Sequence, residues 1–92
     1  MNYDSIIKPP ASRNLKSGRV QLQPGEAVGE HVTESKEELI IVMKGTATIL
    51  KEGKPTTVIA GNTHYIPPET RHDVRNEGKE ILNYLYVISV FS

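Results

Sequence analysis

The sequence predicts an all-β protein built as one sandwich or barrel, and the patterning of its residues supports this fold class. Short runs alternate polar and apolar residues, as in Arg19–Gln23, which is the period of a strand with one buried face. Turn residues separate the runs every 8–12 residues or so, about the spacing found in sandwiches and barrels. No stretch keeps a helical period, so we expect strands joined by turns.

The first segment is predicted to be an extended arm that leads into the barrel. It covers residues 1–16, where the consecutive prolines Pro9 and Pro10 favour an extended or polyproline backbone. Residues 17–92 then form a single domain, because compact domains usually contain about 100–150 residues. A chain of this size buries a small core, so help from a partner chain is plausible.

The strands after the arm are predicted from their composition and from the turns between them. Residues 37–43, EELIIVM, are the most apolar run, and their β-branched content favours a short buried strand over a helix. Gly53 in the segment 51–54 and Gly78 in the segment 76–79 predict two hairpin loops. The predicted strands are 19–23, 30–33, 37–43, 46–50, 56–60, 64–67, 71–75 and 81–90.

Composition and charge exclude several classes of function. Lysine plus arginine total 11 and aspartate plus glutamate total 11, so the chain has no basic surface for nucleic acid or a membrane. The absence of cysteine excludes disulfides, thiolate metal sites and cysteine nucleophiles. No run resembles a signal peptide or approaches about 18 apolar residues. We therefore expect a cytoplasmic protein without nucleic-acid or membrane partners.

Alternation along the predicted strands sorts side chains between the core and solvent. In the strand 71–75, the charged residues Arg71, Asp73 and Arg75 share one face and are expected in solvent. His72 and Val74 share the opposite face and should point into the core.

The strand 38–43 is apolar on both faces beyond Glu38. A strand buried on both sides in so small a domain requires a cover for its outer face. Either the arm or a second subunit could supply that cover. We favour a homodimer in which sheets pack face to face.

Two histidines and a glutamate, His31, Glu38 and His72, lie on separate predicted strands at fixed distances from turn residues. Neutral imidazole nitrogens and a carboxylate are ligands that divalent first-row metals accept. The residues therefore predict a site inside a small barrel. A hydrogen-bonded polar cluster without metal is the alternative interpretation, because buried histidines are more often satisfied core residues than ligands.

The spacing around the first histidine resembles the first motif of the cupin superfamily. Gly25 is followed after five residues by His31, and Glu38 is followed after six residues by Gly45. The family motif has a second histidine two positions after the first, where this chain has Thr33.

The second cupin motif is matched further along the chain. Gly61 is followed after five residues by Pro67, and His72 is followed after three residues by Asn76. Glu69 stands where the family motif has a glycine, and glutamate is less tolerant of a positive φ. The resemblance spans roughly residues 20–90 and implies a double-stranded β-helix, the jelly-roll barrel of cupins.

The resemblance also implies a divalent metal ion, held here by His31, Glu38 and His72. Two histidines and one carboxylate match the facial triad of Fe(II) oxygenases, and three protein ligands plus water suit catalytic zinc. Iron, manganese, zinc and nickel are the candidate metals, and no organic cofactor is predicted. Thr33, Tyr86 and His64 are candidate contacts for a ligand. His64 could supply a replacement nitrogen if it faced inward, but we favour the interpretation of His64 as a surface or rim histidine.

Three functional hypotheses follow, and the catalytic residues remain unknown in all of them. The first is a metal-dependent enzyme acting on a sugar-like or small organic substrate. The second is a metal-free module that binds a small ligand or regulates without catalysis. The third is a structural dimer in which the polar cluster only orders the barrel. The superfamily hosts many chemistries, so its fold does not select among the three.

Overall fold

A computed structural model describes residues 1–91, which form nine strands arranged in two sheets. Every pair of neighbouring strands is antiparallel. Within these residues no helix is long and apolar enough to cross a membrane. The strands are β1 (Asn2–Ile7), β2 (Leu15–Leu22), β3 (His31–Val32), β4 (Lys36–Lys44), β5 (Thr46–Lys51), β6 (Lys54–Ile59), β7 (Thr63–Ile66), β8 (Arg71–Arg75) and β9 (Leu82–Val90).

The two sheets differ in size, and each contains strands that are distant in sequence. The larger sheet has the order β1-β2-β9-β4-β7, and the smaller has the order β3-β8-β5-β6. Consecutive strands β4 and β5 lie in different sheets, as do β7 and β8. The all-β prediction is confirmed, and the predicted strand positions agree with the observed strands to within a few residues. The hairpin predicted around Gly53 is confirmed by the pairing of β5 with β6. The hairpin predicted around Gly78 is wrong, because the chain passes there from one sheet to the other and β8 and β9 do not pair.

The core consists of side chains that alternate inward along the strands of both sheets. Burying one such large apolar side chain contributes about 1.5–3 kcal/mol to folding before conformational entropy is counted. The buried apolar residues are Val20, Leu22, Ile40, Val42, Ala47, Ile49, Val58, Ile66, Val74, Leu82, Tyr84 and Ile88. This core fixes which face of each strand can contribute to a site.

The predicted arm is an edge strand of the larger sheet. Strand β1 pairs with β2 from Asn2 opposite Gln21 to Ile7 opposite Ser17. The N-terminal ammonium of Met1 also contacts the carboxylate of Glu26 at 2.9 Å. Strand β2 begins at Leu15, inside the segment expected to be arm.

The arm extends the larger sheet sideways and does not cover the outer face of β4. Leu39 on that face is 36% exposed and Met43 is 58% exposed. Cover by the arm, one of the two alternatives raised by the sequence, is therefore wrong. A second subunit stays a prediction.

The expectation that all three charged residues of β8 lie in solvent is wrong for one of them. Arg71 and Arg75 are exposed, but Asp73 is only 5% exposed. The loop before β3 lies along this edge, and the backbone N–H of Gly29 donates to Asp73 Oδ1 at 2.9 Å. Arg75 Nε donates to Asp73 Oδ2 at 3.0 Å. A buried carboxylate is retained here because both of its oxygens accept hydrogen bonds.

The side chain of Asn76, which directly follows β8, forms hydrogen bonds with three backbone groups from separate parts of the chain. Its Nδ2 group donates to the carbonyl oxygens of Leu22 at 3.0 Å and Glu80 at 2.7 Å. Its Oδ1 atom accepts from the backbone N–H of Gly78 at 3.0 Å. Asn76 is 1% exposed, so no bulk water replaces these bonds if the side chain is shortened.

We expect the substitution Asn76→Ala to lower the free energy of unfolding by about 2–4 kcal/mol, because it leaves polar backbone groups unpaired. Urea denaturation monitored by circular dichroism measures this change. Glu77→Ala is the matched control, since Glu77 is the exposed neighbour and should change stability by less than about 0.5 kcal/mol. Equal effects of the two substitutions would contradict the structural role of Asn76.

Candidate metal centre

His31 and His72 face each other across the pairing of β3 with β8. The register places His31 directly opposite His72, and directly opposed residues of an antiparallel pair project to the same face. The two imidazole rings lie 4.1 Å apart between centroids, with an angle of 61° between their planes. His72 is 1% exposed, whereas His31 is exposed. One ring is thus buried and the other lies at the solvent side of the site.

Glu38 comes to the same point from the other sheet. It lies on the inner face of β4 with Ile40 and Val42 and is 7% exposed. Its Oε1 atom lies 3.5 Å from Nε2 of His72. One ligand atom from each of Glu38, His31 and His72 lies within 4.8 Å of the others. The structure therefore brings together the three residues predicted to bind metal.

The backbone holds both imidazoles in the tautomer that a metal site requires. Nδ1 of His31 is 2.8 Å from the carbonyl oxygen of Gly29, and Nδ1 of His72 is 3.0 Å from that of Thr70. A carbonyl oxygen only accepts, so both Nδ1 atoms donate. The Nε2 atoms are left with free lone pairs, the arrangement usual for metal-binding histidines.

The buried Nε2 atom of His72 has no hydrogen-bond partner among residues 1–91. Its contact with Glu38 does not have the geometry of a hydrogen bond. Buried polar atoms are nearly always paired, so an orphaned imidazole nitrogen calls for an explanation. Its direction toward Glu38 and His31 fits a cation, and the donor set of two nitrogens and one carboxylate fits a divalent metal.

The electrostatic surroundings of His72 act in opposite directions on its pKa. Burial lowers the pKa, while Glu38, the carbonyl oxygen of Thr70 and the charge of Asp73 raise it, and the net result is a pKa above the ordinary value. The negative surroundings thus favour a positive charge at Nε2. A proton or a metal ion can supply this charge, and the two compete because a ligating imidazole is neutral.

Thr33 stands where a second histidine was expected, and its side chain is committed to the loop between β7 and β8. Thr33 is 0% exposed. Its hydroxyl donates to the carbonyl oxygen of Pro67 at 2.6 Å and accepts from the backbone N–H of Thr70 at 3.0 Å. Thr33 therefore fastens the segment that follows β3 to the segment that precedes His72.

Glu69 occupies the glycine position of the second motif, and hydrogen bonds within the same loop stabilise its left-handed backbone conformation. Its φ is 55°, a left-handed value that is uncommon for non-glycine residues. Its backbone N–H donates to the carbonyl oxygen of Thr33 at 2.8 Å, and its Oε1 accepts from the backbone N–H of Ser35 at 2.9 Å. These bonds stabilise the turn without glycine.

His64 does not join the cluster of His31, Glu38 and His72. It lies directly opposite Ile40 on the inner face of the larger sheet, and burial followed by the charge of Lys51 lowers its pKa. Its Nε2 is buried and has no hydrogen-bond partner in the described part of the chain, residues 1–91. His64 thus faces inward at another level of the barrel.

A cavity of about 150 Å³ opens beside the cluster. His31 and Glu38 line one wall, and Tyr84 and Tyr86 line another. Burial raises the pKa of both tyrosines, so their hydroxyls stay protonated as hydrogen-bond donors. Tyr86, one of the candidate ligand contacts, therefore lies where a ligand in the cavity could reach its hydroxyl.

Sequence reasoning missed Lys16, which lines this cavity, and Gly18, which makes room for one of its tyrosines. A Cβ atom at Gly18 would lie 2.5 Å from the hydroxyl oxygen of Tyr86, so only glycine leaves room for that ring. Lys16 lines the cavity wall. The alternation of Lys16, Gly18, Val20 and Leu22 could have revealed both residues. The boundary of the predicted arm hid this pattern because it was set after residue 16.

Solved structures with the same fold come from several organisms. A predicted oxalate decarboxylase from Thermotoga maritima superposes with a TM-score of 0.90 at 24% identity, over 97% of this chain and 79% of that chain. A Cupin 2 conserved barrel domain protein from Salinispora arenicola superposes with a TM-score of 0.83 at 26% identity, over 95% of this chain and 73% of that chain. These similarities confirm the jelly-roll barrel.

Two curated proteins are similar in sequence. An oxalate-binding protein of Thermotoga maritima is 30% identical over 70 residues, which is 76% of this chain and 58% of that protein. A mannose-1-phosphate guanylyltransferase of Salmonella montevideo is 31% identical over 87 residues, which is 95% of this chain and 18% of that protein. The chain thus spans less than two thirds of either relative.

The family model for the cupin domain matches residues 18–88. This range contains both motifs, all strands from β3 to β8 and the three residues of the cluster. The chain belongs to the cupin family.

Proposed function

We propose that this protein binds one divalent metal ion through His31, Glu38 and His72 and binds a small carboxylate beside it. The unpartnered Nε2 of His72 carries the proposal, since it is buried and directed at the two other ligands. Iron, manganese, zinc and nickel all accept this donor set. Three protein ligands leave coordination positions open, and a metal there would act as a Lewis acid for the bound oxygen atoms.

The size of the cavity and one relative support a small acid as the ligand. The cavity volume is about 150 Å³, and a cavity of about that volume in another protein holds benzene, a six-carbon molecule. The relative from Thermotoga maritima is named for binding oxalate, which has six non-hydrogen atoms in all. The tyrosine hydroxyls offer hydrogen-bond donors to carboxylate oxygens. No side chain is assigned a catalytic role.

A metal-free binding module is the second candidate function. The 3.5 Å contact between Glu38 and His72 favours it, because a protonated imidazole would neutralise the buried carboxylate without a metal. In that case a small ligand would occupy the same cavity, and removing metal would leave its binding unchanged.

We expect protein stripped with a chelator to take up one equivalent of Mn²⁺ or Zn²⁺ and to gain stability. The gain is about 2.7 kcal/mol when free metal exceeds the dissociation constant by about a hundredfold. The substitution His72→Ala should abolish this uptake because it removes the buried ligand. Calorimetric titration and thermal unfolding measure both effects.

The control for this titration is His64→Ala, which removes an inward histidine outside the cluster and should leave metal uptake intact. Wild-type protein that takes up no metal, yet binds oxalate with or without chelator, would contradict the metal site and favour the second candidate.

We propose in addition that two copies of the chain pair through the outer face of the larger sheet. Neighbouring strands place apolar side chains side by side on this face, with Leu39 between Val87 and Tyr65, and Ile41 beside Leu85. Leu39 is 36% exposed and Tyr65 is 47% exposed. A contiguous apolar patch of this kind is characteristic of an interface.

We expect the chain to sediment at twice its own mass, because pairing removes this patch from water. The substitution Leu39→Glu should shift it to the mass of one chain. Ile59→Glu is the control, since Ile59 is 56% exposed on β6 of the other sheet. A wild-type chain that sediments as a monomer at micromolar concentration would contradict the pairing.

A further inference from the structure

Lys16 lies on the cavity wall at the same level of the barrel as Glu38. It is directly opposite Ile88 in the pairing of β2 with β9, and Ile88 is directly opposite Glu38 in the pairing of β9 with β4. The three residues form one row across the inner face. Two strand spacings separate the backbones of Lys16 and Glu38, roughly 10 Å, and the cavity contacts both side chains.

The ammonium group of Lys16 is not used by the fold. Among residues 1–91 it takes part in none of the salt bridges. Lys16 is exposed at the outer end of its strand face, whereas the other residues of that face, Gly18, Val20 and Leu22, are buried. Lys16 thus places a solvated positive charge beside the cavity, where an anionic ligand that enters the cavity can reach it.

The charges around the cavity select the kind of ligand. Glu38 and Lys16 are the acidic and basic residues that line it, and together they carry no net charge. A divalent metal ion at the cluster therefore leaves the site with an excess of two positive charges. A ligand with two negative charges compensates this excess, whereas a monocarboxylate compensates half of it.

Two tyrosines lie in the rows next to the one that joins Lys16 to Glu38, since Tyr86 is opposite Gly18 and Tyr84 is opposite Val20. Tyr84 and Tyr86 line the cavity, and burial, followed by neighbouring charges, raises the pKa of each, so that both hydroxyls stay protonated. Their hydroxyls are thus available as donors. Gly18 allows the ring of Tyr86 to lie against β2, next to the strand position of Lys16. The two tyrosine hydroxyls and the ammonium group of Lys16 are donors that suit carboxylate oxygens.

We propose that Lys16 binds the distal carboxylate of a small dicarboxylate whose other end lies at the metal cluster, so that Lys16 makes the cavity prefer a dianion to a monoanion. This inference rests on the proposed metal site and adds the ligand class and the residue that selects it. Lys16 is a specificity residue in this account and takes no part in holding the metal.

The test compares oxalate and acetate as probes by calorimetric titration of the protein loaded with Mn²⁺. We expect wild-type protein to bind oxalate more tightly than acetate. Lys16→Met should weaken oxalate binding about tenfold, the loss typical of a hydrogen bond to a charged group, and should leave acetate binding unchanged. Lys16→Arg should retain the preference for oxalate, because it keeps the charge.

Lys36→Met is the matched control. Lys36 lies on β4, two residues before Glu38, but does not line the cavity, so its loss should change neither probe. Lys16→Met binding oxalate as tightly as wild type would overturn the inference. The inference would also be overturned if Lys16→Met and Lys36→Met weakened oxalate binding equally, or if Lys16→Met weakened acetate binding as much as oxalate binding. Either result would indicate a general effect of charge.

The manganese content of each variant, measured before and after titration, separates this inference from the proposed function. Wild-type protein without manganese overturns both. Wild-type protein that holds manganese but shows no preference for oxalate, or none that depends on Lys16, overturns the inference alone and leaves the metal site standing.

Discussion

The pairing of β3 with β8 is the contact on which the site depends, because it brings the two histidines together. Strand β3 is only two residues long, and so short a pairing is weak by itself. The chain on both sides of it is therefore fastened to β8 and its loop. On one side, the backbone N–H of Val28 donates to the carbonyl oxygen of Val74 at 3.0 Å. On the other side, the backbone N–H of Thr33 donates to the carbonyl oxygen of Thr70 at 3.2 Å.

The structure gives Thr33 a role different from the one that the family motif indicates. By the family motif it occupies a ligand position, and its exchange for histidine reads as loss of a ligand. In the structure its hydroxyl bonds the backbone at Pro67 and Thr70, which holds β3 in register with β8. Where the family motif has a histidine, Thr33 thus forms hydrogen bonds to the backbone, and these bonds keep His31 and His72 in place. In the proposed metal site the number of protein ligands would be three, which leaves coordination positions open for a small molecule.

The buried cluster also lowers the stability of the fold, and burial of the apolar core must compensate for this loss. Glu38 and His72 are nearly buried among apolar side chains, and burying ionisable groups is unfavourable unless they are paired and hydrogen-bonded. Here the pairing is incomplete, since Nε2 of His72 has no hydrogen-bond partner among residues 1–91. The metal ion that we propose would supply the missing partner, so its binding would be linked to the stability of the barrel.

The sequence predicts what depends on local period and turn residues, and misses what depends on packing between distant segments. The inward direction of His72 follows from alternation along β8 and is confirmed. The burial of Asp73 could not be predicted in this way, because it results from a loop far away in sequence that crosses the strand edge. Lys16 was missed since it lies in a segment whose prolines indicate an arm, although the pairing of β2 with β9 extends to Leu15.

The most direct test of this account is anomalous scattering at the absorption edge of the metal, measured on crystals of metal-loaded protein. The account predicts one strong peak within about 2.0–2.3 Å of the Nε2 atoms of His31 and His72 and of a carboxylate oxygen of Glu38. A fully loaded crystal whose only peaks lie away from these three side chains would contradict it.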